Sequence, residues 1–105
     1  MSTARMVVVF RPPANKQEFD THYFGVHVPL AKKLPGLRKY EVSKGPIFPM
    51  NDGGETHLIA TLHFDDVESI KAAFASEVGK ACALDRKALC PDSAVQTFLF
   101  DSRET

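Results

Sequence analysis

The chain has 105 residues, a length typical of one domain and too short for two. Its 13 basic and 13 acidic residues give a net charge of zero, without the basic patch of a nucleic-acid-binding protein. No apolar run approaches the roughly 20 residues that a membrane-spanning helix needs. We therefore predict a single cytoplasmic domain, residues 1–105, that binds neither nucleic acid nor membrane.

The two cysteines, Cys82 and Cys90, are too few for a disulfide scaffold, and their spacing matches no zinc-binding pattern. Free cysteines of this kind usually act as small packing residues. Their number therefore agrees with a reducing, cytoplasmic location.

Residues 6–10 form the first predicted element, a β-strand, because this run is continuous, apolar and rich in valine. Pro12 and Pro13 end the strand. Asn15 is then a suitable N-cap, with Glu18 three residues later as in a capping box. The first helix is therefore expected to begin directly after Asn15.

The first helix has an apolar face with the three- and four-residue spacing of an amphipathic helix. The members of this face are Phe19, Tyr23, Val26, Leu30 and Leu34. Pro29 falls inside the pattern, and a proline cannot donate to the carbonyl four residues earlier, that of Gly25. We expect the backbone hydrogen-bond pattern to break between Gly25 and Pro29. Pro35-Gly36 should end the helix.

Two strands are predicted in the middle of the chain, over residues 37–43 and 56–64. A loop rich in glycine, proline, asparagine and aspartate separates them. The later strand alternates in period two, which puts His57 and His63 on one face, roughly 20 Å apart. These two histidines therefore cannot share a metal ion within one chain.

The second helix is predicted to begin after Asp65 or Asp66, to be interrupted at Gly79 and to close before Pro91. Residues 94–100 form the last strand. The order strand, helix, strand, strand, helix, strand is typical of the α+β, ferredoxin-like fold with a four-stranded antiparallel sheet.

A sheet covered by helices on one face leaves its other face bare. Val7 and Val9 lie on one side of the first strand, and Met6 and Val8 on the other, so both faces are apolar. Soluble proteins generally avoid exposing such a patch. We therefore predict a homodimer in which two sheets pack face to face.

His27 is the leading candidate for chemistry, because it borders the buried helical face beside Pro29. It could act as a general acid or base near neutral pH, or it could simply stabilise the bend through a freed carbonyl. Tyr40 shares a predicted strand face with Arg38, so its hydroxyl could polarise a ligand or belong to ordinary packing. His22 is expected on a different side of the helix from His27, so no metal site is indicated.

Residues 19–40 resemble the signature of the EthD family. The core of the resemblance is His27-Val28-Pro29-Leu30, followed by Leu34-Pro35-Gly36-Leu37. Residues 57–64 are also similar to the family. The resemblance implies a dimeric α/β barrel and a catabolic role, since the founding member is associated with bacterial degradation of ethyl tert-butyl ether.

The resemblance further implies a small-molecule pocket. Relatives with this fold include methylmuconolactone methylisomerase, cofactor-free oxygenases and some haem-binding enzymes. The methylisomerase-like proteins place a histidine of the first helix and a tyrosine of the second strand in their pocket. His27 and Tyr40 match those two places.

We hypothesise a catabolic protein without cofactor or metal that acts on an apolar, oxygen-bearing compound. It would be an isomerase, a lyase or an accessory protein of an oxygenase. His27 would transfer the proton and Tyr40 would orient the ligand, with Tyr23, Leu30, Arg38 and Phe64 as further ligand-binding residues. Two alternatives stay open: a non-catalytic dimeric binding or stress-related module, and a haem-dependent oxidoreductase.

Overall fold

The structure is a computed structural model that describes residues 3–105; the first two positions of the predicted domain lie outside these residues. The first part comprises β1 (Ala4–Phe10), α1 (Lys16–His22), a π-helical turn (Tyr23–His27) and α2 (Val28–Ala31). Then follow β2 (Lys39–Val42), β3 (Leu58–Phe64), α3 (Val67–Ala75), α4 (Glu77–Leu89), a 3-10 turn (Asp92–Ala94) and β4 (Val95–Asp101).

The four strands form one antiparallel sheet in the order β2-β3-β1-β4. This order and connectivity define the ferredoxin-like fold, and the prediction from sequence is confirmed. The central strand β1 pairs with β3 along its whole length, from Ala4 opposite Phe64 to Phe10 opposite Leu58. β2 is shorter than predicted, because Arg38 and Ser43 lie in the adjoining loops.

Side-chain caps fix where the helices begin. Asn15 accepts a hydrogen bond from the backbone N–H of Glu18 at 3.0 Å, and Asp66 accepts one from Ser69 at 2.7 Å. Both caps stand where the sequence predicts them. Gly36, after α2, has a φ of +80°, a left-handed conformation that costs a glycine little and helps to end the helical segment.

The second predicted helix breaks at Ser76 rather than at Gly79. Ser76 separates α3 from α4, and its hydroxyl accepts a hydrogen bond from the N–H of Gly79 at 3.1 Å. A Cβ atom on Gly79 would lie 2.2 Å from the carbonyl oxygen of Ala73 and 2.4 Å from the Cα of Phe74. Glycine is therefore needed because the two helices approach each other at this position.

The π-helical turn is the irregularity predicted around Pro29, and it decides which residues of the helix are buried. The N–H of Val28 donates to the carbonyl of Tyr23, five residues earlier, so the turn holds one residue more than an α-helical turn. The extra residue rotates the buried face. Val26, expected to be buried, is 49% exposed, whereas His27 is buried in its place and only 9% exposed.

The two faces of the sheet differ in their surroundings. The helix-facing side forms the core, in which Phe10, Leu62 and Phe64 are buried. The register of the strands places Val7 of β1 beside Phe98 of β4 on the opposite side, where Phe98 is 45% exposed. Within residues 3–105, no helix has the length and apolar character needed to cross a membrane.

Candidate functional site

A cavity of about 220 Å³ lies between the helices and the sheet, and all four strands contribute to its wall. Its wall is mainly apolar. The polar or titratable side chains that line it are Tyr23, His27, Tyr40, Cys82, Arg86, Lys87 and Thr97. Of the residues predicted to form the site, His27, Tyr23 and Tyr40 are therefore brought together.

The His27 ring is bound by the carboxylate of Asp85, which lies on α4. Its Nδ1 lies 2.8 Å from Oδ2 of Asp85 in α4, and the two side chains are 11% and 15% exposed. Because an ionised carboxylate only accepts hydrogen bonds, the neutral form of the ring carries its proton on Nδ1 and keeps a lone pair on Nε2. The ring also stacks on Tyr23, with centroids 5.4 Å apart. This leaves Nε2 as the ring nitrogen that can accept a proton from the cavity.

Asp85 accepts hydrogen bonds from two histidines. Its Oδ1 lies 2.8 Å from Nε2 of His22, while Oδ2 is bound to His27. Burial on its own raises the pKa of Asp85, but the hydrogen bonds and charges of the two histidines outweigh it and hold that pKa below its ordinary value. Asp85 is therefore ionised at neutral pH.

His22 and His27 reach one carboxylate because of the π-helical turn, so the prediction that they lie on different sides of the helix is wrong. In a regular α-helix of about 3.6 residues per turn, positions five apart are separated by about 140° around the axis. The extra residue of the turn reduces this angle. Asp85 was not identified from the sequence, since it lies 58 positions after His27 on another helix.

Two tyrosine hydroxyls meet at the cavity wall, with the Oη atoms of Tyr23 and Tyr40 2.6 Å apart. Burial, followed by the charge of Tyr40 and the hydrogen bond to it, raises the pKa of Tyr23 far above its ordinary value. Burial also raises the pKa of Tyr40, although the hydrogen bond to Tyr23 acts in the opposite direction. Both hydroxyls are therefore protonated. One donates to the other, which leaves one proton of the pair for a ligand oxygen.

The charged lining residues lie on α4. Arg86 donates to the backbone carbonyl of Cys90 at 3.0 Å and forms an ion pair with Asp92, so its charge is partly compensated. Lys87 also lines the cavity. Burial, and then the charge of Asp85, raises the pKa of the Cys82 thiol. Cys82 is therefore a neutral thiol at neutral pH and a poor nucleophile.

Three predicted ligand-binding residues lie outside the cavity. Arg38 donates to both carboxylate oxygens of Asp65, at 3.1 and 2.8 Å, and its side chain is 59% exposed. Phe64 is fully buried in the core and does not line the cavity. Leu30 packs against the edge of the core, because the residue added in the π-helical turn puts Ala31 in the cavity wall instead.

The remaining histidines have partners of their own. His57 precedes β3 rather than lying on it, and its Nε2 is 2.7 Å from Oδ1 of Asp20. His63 is on β3, with Nε2 2.7 Å from Oε1 of Glu41. Across the part of the chain that the structure describes, no group of three or more His, Cys, Asp or Glu side chains is placed to hold a metal ion.

Fold and cavity together define an α+β, ferredoxin-like protein with a mainly apolar pocket between helices and sheet. The EthD domain matches residues 11–89, which is most of the chain. The protein therefore belongs to the EthD family.

Two relatives cover nearly the whole chain. An uncharacterised 11.0 kDa protein from the thcB-thcC intergenic region of Rhodococcus erythropolis is 31% identical over 101 residues, which are 96% of this chain and 95% of that protein. The crystal structure of an ethyl tert-butyl ether d (EthD) family protein from Bacillus halodurans is 29% identical, with a TM-score of 0.86 over 98% of this chain and 100% of that one.

More distant solved structures share the fold alone. A hydroxynitrile lyase from Passiflora edulis is 16% identical, with a TM-score of 0.74 over 97% of this chain and 94% of that one. A ferredoxin-like protein from Thermobifida fusca, described as dimeric and of unknown function, is 14% identical, with a TM-score of 0.68 over 95% and 91% of the two chains.

Proposed function

We propose that the protein binds a small, largely apolar, oxygen-bearing compound in the cavity and that His27 transfers a proton to and from it without a cofactor. The observation that carries this proposal is the His27–Asp85 pair, 2.8 Å apart at the wall of an apolar cavity. A volume of about 220 Å³ lies below the roughly 300–1,000 Å³ of pockets for drug-sized ligands. The ligand is accordingly a smaller molecule.

In this mechanism Nε2 of His27 removes a proton from an acidic position of the ligand. The electron pair stays on the ligand and is delocalised onto its oxygen, which accepts a hydrogen bond from the Tyr23–Tyr40 pair. Asp85 stabilises the imidazolium that forms, and it remains ionised. His27 then returns the proton to the same atom, to a neighbouring atom, or to a leaving group, which corresponds to exchange, isomerisation or elimination.

The apolar wall supports this assignment because removal of a proton from a weakly acidic carbon is favoured in a site from which bulk water is excluded. Raised pKa values keep both tyrosines protonated and able to donate near neutral pH. A protein of the same fold, 16% identical, is a hydroxynitrile lyase, so the fold hosts a lyase elsewhere.

The test begins with a thermal-shift screen of small ketones, lactones, esters and phenols against the full chain. Each stabilising compound is then incubated with the protein in deuterium oxide, and exchange of its acidic hydrogens is followed by NMR. We expect catalysed exchange with wild type, and a loss of at least about 100-fold with His27→Gln, in line with the usual contribution of general base catalysis. His63→Gln is the matched control, because His63 is paired with Glu41 away from the cavity.

Two outcomes would contradict the proposal. One is the absence of any stabilising compound in a screen that covers these classes. The other is exchange by His27→Gln at the wild-type rate while the compound still binds, which would show that His27 is not the group that transfers the proton.

We also propose that the protein is a homodimer formed through the bare face of the sheet. Val7, Phe98 and Phe100 lie on this face, and the last two are 45% and 43% exposed. An apolar patch of this kind usually marks an interface. A ferredoxin-like protein described as dimeric shares the fold at 14% identity. Light scattering should give a mass twice 11.6 kDa, and a monomer at micromolar concentration would refute the arrangement.

A cytoplasmic, catabolic role completes the proposal. Membership of the EthD family supports a role in degradation of small organic compounds. Both cysteines are free thiols, as expected in a reducing compartment. Fractionation of the source cells tests the location, and recovery of the protein outside the cytoplasmic fraction would contradict it.

A further inference from the structure

His22 lies outside the cavity yet contacts the carboxylate that orients the cavity histidine. Its side chain is 39% exposed, compared with 11% for His27. The wall of the cavity includes His27 and excludes His22, which lies instead along two surface depressions. The hydrogen bond of its side chain to Asp85 therefore links His22 to the histidine of the cavity.

The carboxylate of Asp85 is held at both ends. His22 Nε2 binds Oδ1 and His27 Nδ1 binds Oδ2, each at 2.8 Å. Since the ionised carboxylate donates no proton, His22 in its neutral form must carry its proton on Nε2. Glu18 and Cys90 are the other titratable groups along the surface depressions that His22 lines.

We propose that His22 is a positioning residue that donates to Oδ1 of Asp85 and so holds Oδ2 against Nδ1 of His27. This proposal rests on the proposed function of His27 as the proton-transferring group. A catalytic side chain has to be held within about 10–20° of its working orientation by its supporting hydrogen bonds. With only one histidine bound, rotation of the carboxylate about its own bonds would release Nδ1.

The π-helical turn explains how His22 and His27 can both bind Asp85. A regular helix would turn His22 away from α4, and the additional residue in the turn between Tyr23 and His27 brings both rings to it. Turns of this kind occur frequently at functional sites. The irregularity near Pro29 therefore builds the pair of hydrogen bonds on Asp85 and buries His27 in place of Val26.

The experiment follows the His27 ring by nitrogen-15 NMR in the full chain, slightly above neutral pH, without any ligand. In wild type we expect a single tautomer with the proton on Nδ1 and slow exchange of that proton with water. In His22→Ala we expect a mixture of tautomers and proton exchange about tenfold faster, which corresponds to the loss of one hydrogen bond. His22→Gln should restore the wild-type signals, because its amide nitrogen can take the place of the Nε2–H group.

His57→Ala is the matched control, since it removes another histidine–carboxylate pair, 2.7 Å long, that does not include Asp85. The proposal is overturned if His22→Ala leaves the tautomer and the exchange rate of His27 unchanged. It is also overturned if His22→Gln behaves like His22→Ala, since the donated hydrogen bond would then not be the cause. No ligand enters this measurement, so failure of the deuterium-exchange test with His27→Gln would refute the proposed function separately.

Discussion

Removal of the Tyr23 hydroxyl should change how the stability of the protein depends on alkaline pH. The pKa values of Tyr23 and Tyr40 are both raised in the folded protein, chiefly by burial, whereas the unfolded chain titrates near the ordinary value of about 10. The stabilising contribution of each hydroxyl is therefore complete below about pH 10. It decreases as the pH rises above that value, because only the unfolded chain then releases the protons.

The expected magnitude follows from proton linkage. At about pH 11, one unit above the unfolded value, each tyrosine that stays protonated lowers the free energy of unfolding by about 1.4 kcal/mol. Wild type should thus lose about 1.4 kcal/mol from Tyr23 between neutral pH and pH 11, a loss that Tyr23→Phe removes, together with a further loss from Tyr40, whose pKa is also raised. At neutral pH, Tyr23→Phe should cost about 1 kcal/mol, the value of one ordinary hydrogen bond.

Two measurements check this prediction. Urea unfolding, followed by circular dichroism at several pH values, gives the loss of stability for wild type and for Tyr23→Phe. Phenolate absorbance then reports the tyrosines directly, because the chain has two tyrosines and no tryptophan. The folded protein should form little phenolate at pH values where the urea-unfolded chain is largely ionised. A folded protein that titrates with a midpoint near 10 would refute the protected hydroxyl pair.

Three further predictions concern helix packing, the shared carboxylate and the dimer. Gly79→Ala should destabilise the fold by about 1–3 kcal/mol, since the new Cβ would lie 2.2 Å from a backbone oxygen. Gly25→Ala, where nothing beyond the adjacent residues and the backbone of the same helix lies within 4 Å of the new Cβ, should not lower the melting temperature; equal losses in the two variants would contradict the close approach. Asp85→Asn should lose less stability than wild type when the pH is lowered below about 4. The pKa of Asp85 is lowered in the folded state, so the stabilising contribution of its carboxylate is lost in wild type as the pH falls through this lowered pKa. An unchanged acid unfolding curve would refute this. Phe98→Glu should convert the proposed dimer into a folded monomer in sedimentation experiments, whereas Phe48→Glu, which changes a residue in the loop between β2 and β3, should leave that dimer intact. A dimer that survives Phe98→Glu would exclude the bare sheet face as the interface.

Local patterns in the sequence were sufficient to predict the fold. The valine-rich first strand, the alternation in β3 and the caps at Asn15 and Asp66 each depend on residues a few positions apart. The order of the resulting elements then leaves few possible topologies. For the same reason, the sequence indicated a backbone irregularity near Pro29 and His27 as the histidine beside it.

The form of that irregularity could not be predicted from the local pattern. Val26 continues the apolar spacing of the helix, and an α-helical register would bury it. The structure inserts one residue in the turn instead, which buries His27 and leaves Val26 49% exposed. The choice between these registers depends on the side chains of the opposite helix, α4, where the carboxylate of Asp85 binds His27.

The polar contacts of the site were decided by tertiary structure alone. Asp85 is 58 positions from His27, and Tyr40 is 17 positions from Tyr23, so no periodic pattern relates the members of either pair. Arg38 was assigned to the site because it neighbours Tyr40, but it pairs with Asp65 on the surface. A sequence determines its helices and strands through neighbouring residues, whereas hydrogen bonds between distant side chains exist only once packing has brought the elements together.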